Sequence, residues 1–138
     1  MAKPDRILAL DVGEKRIGVA FGDSQTKIAI PEVTLKNDEL FINNLGKLIT
    51  KKSPMLIVVG LPRNSKGQET KQSKYAREFA KSLNVFNLPI EFQDESLTSV
   101  EAKELLNLQN DVKYEKEQID AKAAALFLSD YLERKYAR

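Results

Sequence analysis

The chain has 138 residues, a formal net charge of +2, and neither histidine nor cysteine. This length predicts one domain with one hydrophobic core over residues 1–138. The missing residue types exclude histidine-based acid–base catalysis, the Ser–His–Asp triad, disulfides and thiolate metal sites. Apolar runs of at most six residues are too short for a membrane span or a secretory signal, so we expect a cytoplasmic protein with no membrane partner.

The first third of the chain is predicted to form three strands. They cover residues 6–11, 16–22 and 28–35, and the first connection is a tight turn at Gly13. Because both connections are short, an antiparallel meander is the natural pairing. Pro31 lies within the third strand and cannot donate to a sheet ladder, so this strand suits a sheet edge or a bulge.

Helices and strands alternate over the rest of the chain. The predicted elements are a helix capped by Asn37 that ends near Ser53, a buried strand 55–60, a polar mobile loop 61–70, a helix about 70–83 ended by Asn84, and a fifth strand 89–94. After these come a helix from the Thr98–Glu101 capping box to about Asn107, a mobile segment 108–117, and a last helix about 118–136.

This order of elements predicts an α/β fold. The expected sheet is mixed and five-stranded, with a three-stranded antiparallel meander, parallel strands and helices on both faces. Strand one should lie between the meander and strand four, because both 7–10 and 56–59 have the continuous apolar character of buried central strands.

Four carboxylates stand at places where chemistry can occur. Asp11 ends strand one, Asp94 and Glu95 end strand five, and Asp120 opens the last helix on its inward side. If strands one and five are parallel neighbours, their C-terminal ends meet at the sheet edge where α/β proteins bind ligands. Carboxylates without histidine suit oxygen coordination of Mg²⁺ or Mn²⁺, and two such ions can drive phosphodiester hydrolysis.

Each acidic residue also has a structural explanation. Asp11 can form an ion pair with Lys15 or Arg16, Asp120 can interact with the helix dipole, and the pair at the end of strand five can serve a turn. Strand alternation alone does not choose between Asp94 and Glu95 as the ligand.

Basic residues cluster in the predicted loops and permit a polyanionic partner. The polar loop 61–70 begins near a strand end where a substrate would lie. The candidates for contacts to nucleic acid are Arg16, Arg63, Asn64 and Lys66. Solvated surface is the ordinary explanation for any one of these side chains.

Four blocks carry a resemblance that extends over almost the whole chain. They are DVGEKRIGVAFGD (11–23), IVVGLPRNSKG (57–67), DESLTSVEA (94–102) and DAKAAALFL (120–128). In order and spacing they resemble the YqgF/RuvX family of bacterial RNase H-like nucleases. The resemblance implies an RNase H-like fold, activity as a Holliday junction resolvase or on the 5′ end of pre-16S ribosomal RNA, and divalent metal at Asp11, Glu95 and Asp120.

The chain departs from the family pattern at two points. Ser96 stands where the family often has arginine, and Lys113 and Lys116 are fewer lysines than usual before the last aspartate. These departures concern the contacts to nucleic acid and leave the acidic set intact.

Three functions compete. We expect a metal-dependent nuclease that acts on structured RNA, such as a ribosomal precursor, or on branched DNA. The second function is a non-catalytic assembly factor that binds nucleic acid, and the third is an actin-like ATPase, which would need a chain about twice as long.

Metal-assisted hydrolysis is the same chemistry on an RNA and on a DNA backbone, so the sequence does not choose between the two substrates. A monomer or weak homodimer is expected, and junction cutting would need the dimer.

Overall fold

A computed structural model describes residues 5–95 and 113–137, the stretch 113–118 as backbone alone. Within these ranges the strands are β1 (Arg6–Val12), β2 (Arg16–Asp23), β3 (Ala29–Lys36), β4 (Leu56–Leu61) and β5 (Ile90–Asp94). The helices are α1 (Phe41–Lys52), α2 (Lys71–Ala80), which continues as a 3₁₀ helix (Lys81–Phe86), and α3 (Lys113–Lys135).

The five strands form one mixed sheet in the order β3-β2-β1-β4-β5. Strand β1 pairs antiparallel with β2 and parallel with β4, so it lies between the meander and strand four as predicted. Strands β1 and β5 are parallel but not neighbours, because β4 lies between them. Pro31 lies on the edge strand β3, beside a shift in the β2–β3 register.

The two faces of the sheet are covered by different helices. One face, with Leu8 and Leu10 of β1, packs against α1 and α2. The other face, with Ile7 and Ala9, packs against the apolar side of α3 around Phe127. Alternate residues of β1 therefore enter two separate cores, and the continuous apolar runs of the central strands follow from burial on both sides.

The N-cap predicted for α1 is wrong. Helix α1 begins after Leu40, and the carboxylate of Asp38 accepts a hydrogen bond from the Leu40 N–H at 2.9 Å. The side chain of Asn37 instead donates to the carbonyl oxygen of Gly13 at 2.8 Å. The Asn37 side chain therefore forms a tertiary hydrogen bond to the β1–β2 turn, in place of the helix cap that the local sequence pattern predicts.

The end predicted for the second helix is also wrong. Thr70 and Ser73 form the capping box that starts α2, but the chain continues through Asn84 in 3₁₀ form. It stops at Asn87, whose φ of 56° is the left-handed conformation that asparagine tolerates well. Asn84 and Asn87 are three residues apart and offer the same signal in the sequence, and the 3₁₀ segment between Lys81 and Phe86 includes the fully buried Leu83.

The segments before the last helix divide into two groups. Residues 113–117 were expected to be a mobile loop but belong to α3, which begins at Lys113. The predicted helix 98–107, with the remainder of the predicted mobile segment, lies outside the described residues. Within the described part of the chain, no helix is both long enough and apolar enough to cross a membrane.

Candidate active site

Asp11 is a buried carboxylate near the end of β1, with 5% of its surface exposed. Alternation along the strand places it on the same face as Ile7 and Ala9, which is the face covered by α3. The antiparallel register sets Asp11 directly opposite Gly18 of β2. Directly opposite residues point to the same face of a sheet, so Gly18 also faces α3.

Asp120 can lie close to Asp11 and Gly18 because Gly18 has no side chain. A Cβ atom at residue 18 would lie 2.0 Å from the carbonyl oxygen of Asp120 and 2.7 Å from the nitrogen of Ala121. The backbone of α3 therefore rests on the β2 backbone beside Asp11. Sequence reasoning missed this role, although glycine within an apolar strand is a known signal for close approach of another backbone.

The Asp120 carboxylate is buried, with 7% of the residue exposed. Its Oδ2 accepts a hydrogen bond from Nε of Arg16 at 2.8 Å, and the two groups form an ion pair. Asp120 was predicted to open the last helix, but α3 begins seven residues earlier, at Lys113. Because the helix dipole acts within the first turn, it does not account for this acidic residue.

The structure separates Asp94 from Glu95. Ile90 and Phe92 of β5 pack into the core under α1 and α2, whereas Gln93 accepts from Arg134 of α3 at 3.0 Å. Alternation then directs Asp94 away from α3 and Glu95 toward it. The Asp94 side chain is 57% exposed and forms an ion pair with Arg63, while residue Glu95 is buried, with 7% of its surface exposed.

Glu95 continues the parallel ladder by one residue beyond β5. Its N–H donates to the carbonyl oxygen of Leu61 at 3.0 Å. The carboxylates of Asp11, Glu95 and Asp120 thus come from β1, the end of β5 and α3, and all three are buried. Burial of an ionised carboxylate is costly unless a cation or hydrogen-bond donors interact with it.

The chemistry of this acidic set fits Mg²⁺ or Mn²⁺, since both ions prefer oxygen ligands and the chain has no histidine or cysteine to favour another metal. Among the residues whose side chains are described, no three or more acidic groups are gathered closely enough to hold one ion. Asp11, Glu95 and Asp120 thus lie on the same face of the sheet but are not gathered around one shared position.

The predicted contacts to nucleic acid lie in two places, at the start of β2 and in the loop after β4. Arg16 is engaged with Asp120, and Arg63 forms an ion pair with Asp94 at 2.9 Å. Asn64 serves its own loop, because its Oδ1 accepts from the backbone N–H groups of Lys66 and Gln68. This loop is a turn closed by a bridge between residues 63 and 69, and Lys66 is exposed on it.

Solved structures with the same fold define the class. The chain superposes on RuvC of T. thermophilus in complex with a Holliday junction substrate with a TM-score of 0.54, at 12% identity, covering 96% of both chains. It superposes equally well on the Fowlpox virus resolvase, with a TM-score of 0.54 at 11% identity over 94% of this chain and 98% of that one. The fold is that of the RNase H-like resolvases.

Sequence comparison identifies the family within this class. The model of RuvX, described as Holliday junction resolvase, matches residues 5–134. A protein of Buchnera aphidicola named "Putative pre-16S rRNA nuclease" is 41% identical over 91% of this chain and 94% of its own length. Another of that name from Paraburkholderia xenovorans is 42% identical, over 92% of this chain and 87% of its own. The chain belongs to the RuvX family.

Proposed function

We propose that the chain is a divalent-metal-dependent nuclease that processes the 5′ end of pre-16S ribosomal RNA. The observation that carries the proposal is the burial of Asp11, Glu95 and Asp120 on one face of an RNase H-like sheet. Family membership supports a nuclease, and the names of the relatives support the ribosomal substrate.

In this proposal Asp11, Glu95 and Asp120 are the ligands of Mg²⁺ or Mn²⁺. When bound, such ions activate a water molecule and stabilise the leaving oxygen in phosphodiester hydrolysis. Arg16 fixes one oxygen of the Asp120 carboxylate through its hydrogen bond, so the carboxylate has a defined orientation. Burial leaves 5% of Asp11 and 7% each of Glu95 and Asp120 exposed, which limits the access of bulk water to these acids.

The contacts to substrate would come from the loop after β4, with Arg63 and Lys66 as phosphate ligands and Asn64 as the residue that shapes the turn. Arg63 forms its present ion pair with a carboxylate that is 57% exposed. Exposed ion pairs contribute about 0–1 kcal/mol, so a phosphate can compete for this arginine at little cost. Arg16, with 39% of its side chain exposed, is the candidate contact nearest the acids.

The proposal is tested with two substrates. Purified protein is incubated with a precursor 16S rRNA end and with a four-way DNA junction, each in Mg²⁺, Mn²⁺ or chelator, beside the variant Asp11→Asn. We expect metal-dependent cleavage of the RNA by the parent and none by the variant. Cleavage of the junction alone would reassign the protein as a resolvase, and binding of either substrate without cleavage would make it an assembly factor.

Three further expectations go with this function and are measured separately. We infer that residues 1–138 form one domain, that the protein acts in the cytoplasm, and that it is a monomer or weak homodimer. One cooperative unfolding transition would support the first. Cell fractionation tests the second, and analytical ultracentrifugation over a range of concentrations tests the third.

A further inference from the structure

The turn between β1 and β2 joins two residues of the proposed site. Asp11 lies just before it and Arg16 just after it, with Val12–Lys15 between them. Within the turn, the N–H of Gly13 donates to the carbonyl oxygen of Arg16 at 2.9 Å. A Cβ at residue 13 would lie 2.7 Å from that oxygen, so the turn is tight. The conformation of this turn therefore bears on the placement of both Asp11 and Arg16.

Groups far away in sequence hold this turn from outside. The side-chain amide of Asn37 donates to the carbonyl oxygen of Gly13 at 2.8 Å, and its backbone N–H donates to that of Lys15 at 3.0 Å. The side-chain amide of Gln72, in the first turn of α2, donates to the carbonyl oxygen of Val12. Three carbonyl groups of the turn thus have donors from β3's end and from α2.

The anchoring groups are themselves fixed. Asn37 also donates to the hydroxyl oxygen of Tyr75 at 2.9 Å, and the Tyr75 ring packs against Phe79 with the ring centroids 6.2 Å apart. Helix α2 is held to the core by Ala76 and Ala80, and the capping box of Thr70 and Ser73 fixes its first turn. The hydrogen bonds therefore connect the turn after Asp11 to α2, which packs on the face of the sheet opposite to α3.

We infer that Asn37 and Gln72 are positioning residues, which set the orientation of Asp11 from the face of the sheet opposite to α3. The inference rests on the proposed function, because it assigns these residues to the Asp11 carboxylate as a metal ligand. They act through backbone carbonyl groups and do not touch the substrate. A displacement of about 1 Å at a reacting group can cost about 10²-fold in rate, so loss of either amide should be visible in catalysis.

The test compares Asn37→Ala and Gln72→Met with the control Asn43→Ala, which removes an exposed amide from α1. For each protein, kcat and KM on the cleaved substrate, the dissociation constant of Mn²⁺ by titration calorimetry and the Tm are measured. We expect kcat to fall about 10- to 100-fold and Mn²⁺ binding to weaken in the first two variants, with KM unchanged within about twofold. The control should match the parent.

The outcomes separate the two levels of inference. If the parent cleaves and binds Mn²⁺ while Asn37→Ala and Gln72→Met lose only Tm, the two amides are structural and the positioning role is refuted. If Asn37→Ala does not fold, Gln72→Met decides, because methionine keeps the side-chain length and helix propensity. A parent that neither cleaves nor binds Mn²⁺ would instead refute the proposed function.

Discussion

Replacement of Gly18 by alanine should displace the backbone on which Asp120 is carried. The added methyl group would lie 2.0 Å from the Asp120 carbonyl oxygen, whereas ordinary contacts begin near 3.4 Å. The obstacle is backbone, which cannot move aside as a flexible side chain can. The turn of α3 that contains Asp120 must therefore move by about 1.4 Å, or strand β2 must deform by a similar amount.

This clash has two measurable consequences. Overpacking lowers the free energy of unfolding by about 1–3 kcal/mol, and we expect a value near 3 kcal/mol because the obstacle is backbone. For a chain of this length, Tm should then fall by roughly 10 °C. A shift of about 1 Å in the Asp120 carboxylate should in addition lower kcat about 10²-fold. The assays are thermal unfolding by circular dichroism and cleavage well below the Tm of the variant.

Gly46→Ala is the matched control for this substitution. A Cβ at residue 46 would meet only Cε1 of Phe86 at 3.5 Å, within normal contact distance. Because Gly46 lies inside α1, alanine should stabilise the protein by about 0.5–1 kcal/mol. A Gly18→Ala variant that keeps the Tm and the activity of the parent would show that α3 does not rest on β2 at this residue.

Three other changes test separate parts of the structure. Asp11→Asn should stay folded with an unchanged or higher Tm in chelator, yet lose the Mn²⁺-dependent stabilisation of about 2.7 kcal/mol expected for the parent at 100 times Kd, as thermal scans would show. Arg63→Ala with Lys66→Ala should lower the slope of log affinity against log salt by about 1.4–1.8, whereas exposed Lys47 and Lys51 changed to alanine should not. Burial and the Glu91 carboxylate raise the pKa of Tyr131 above 10. Because the folded protein keeps the Tyr131 proton at a pH where the unfolded chain loses it, this stabilisation is complete below pH 10 and is lost as the pH rises above 10. In denaturant titrations above pH 10, the free energy of unfolding of the parent should therefore fall more steeply than that of Tyr131→Phe, by up to about 1.4 kcal/mol per pH unit. Equal pH dependence of the two proteins would contradict this.

The sheet was predictable because its signals are local. Each strand is a short apolar run bounded by turn residues, and the runs 7–10 and 56–59 lack the alternation of a half-solvated strand. Burial on both faces of β1 and β4 is the physical origin of that pattern. The short connections then fixed the meander.

The helix boundaries were less predictable because distant groups compete for the capping side chains. Asn37 has the composition of an N-cap, but its amide binds Gly13 and Tyr75, which lie 24 and 38 residues away. Local pattern cannot weigh a tertiary hydrogen bond against a helix cap. The start of α3 was predicted too late in the chain, because the stretch that begins at Lys113 is polar and charged and has the composition of a loop.

The choice between Asp94 and Glu95 needed the packing of α3. Alternation divides the two side chains between the faces of the sheet. The packing of Ile90 and Phe92 under α1 and α2, with Arg134 beside Gln93, shows which face of β5 is turned toward α3. The approach of Asp120 to Gly18 joins residues about a hundred positions apart. Before the structure, only the resemblance to the YqgF/RuvX family favoured Glu95.

The most direct test of the central claim compares two adjacent carboxylates at the end of β5. Glu95→Gln and Asp94→Asn remove the same charge from neighbouring residues, one buried toward α3 and one exposed at 57%. The measurement is the Mg²⁺-dependent rate of cleavage of a precursor 16S rRNA end. We expect Glu95→Gln to abolish cleavage while remaining folded, and Asp94→Asn to keep a rate within a few-fold of the parent. Equal activity of both variants, or loss of cleavage only in Asp94→Asn, would contradict a metal site built from Asp11, Glu95 and Asp120.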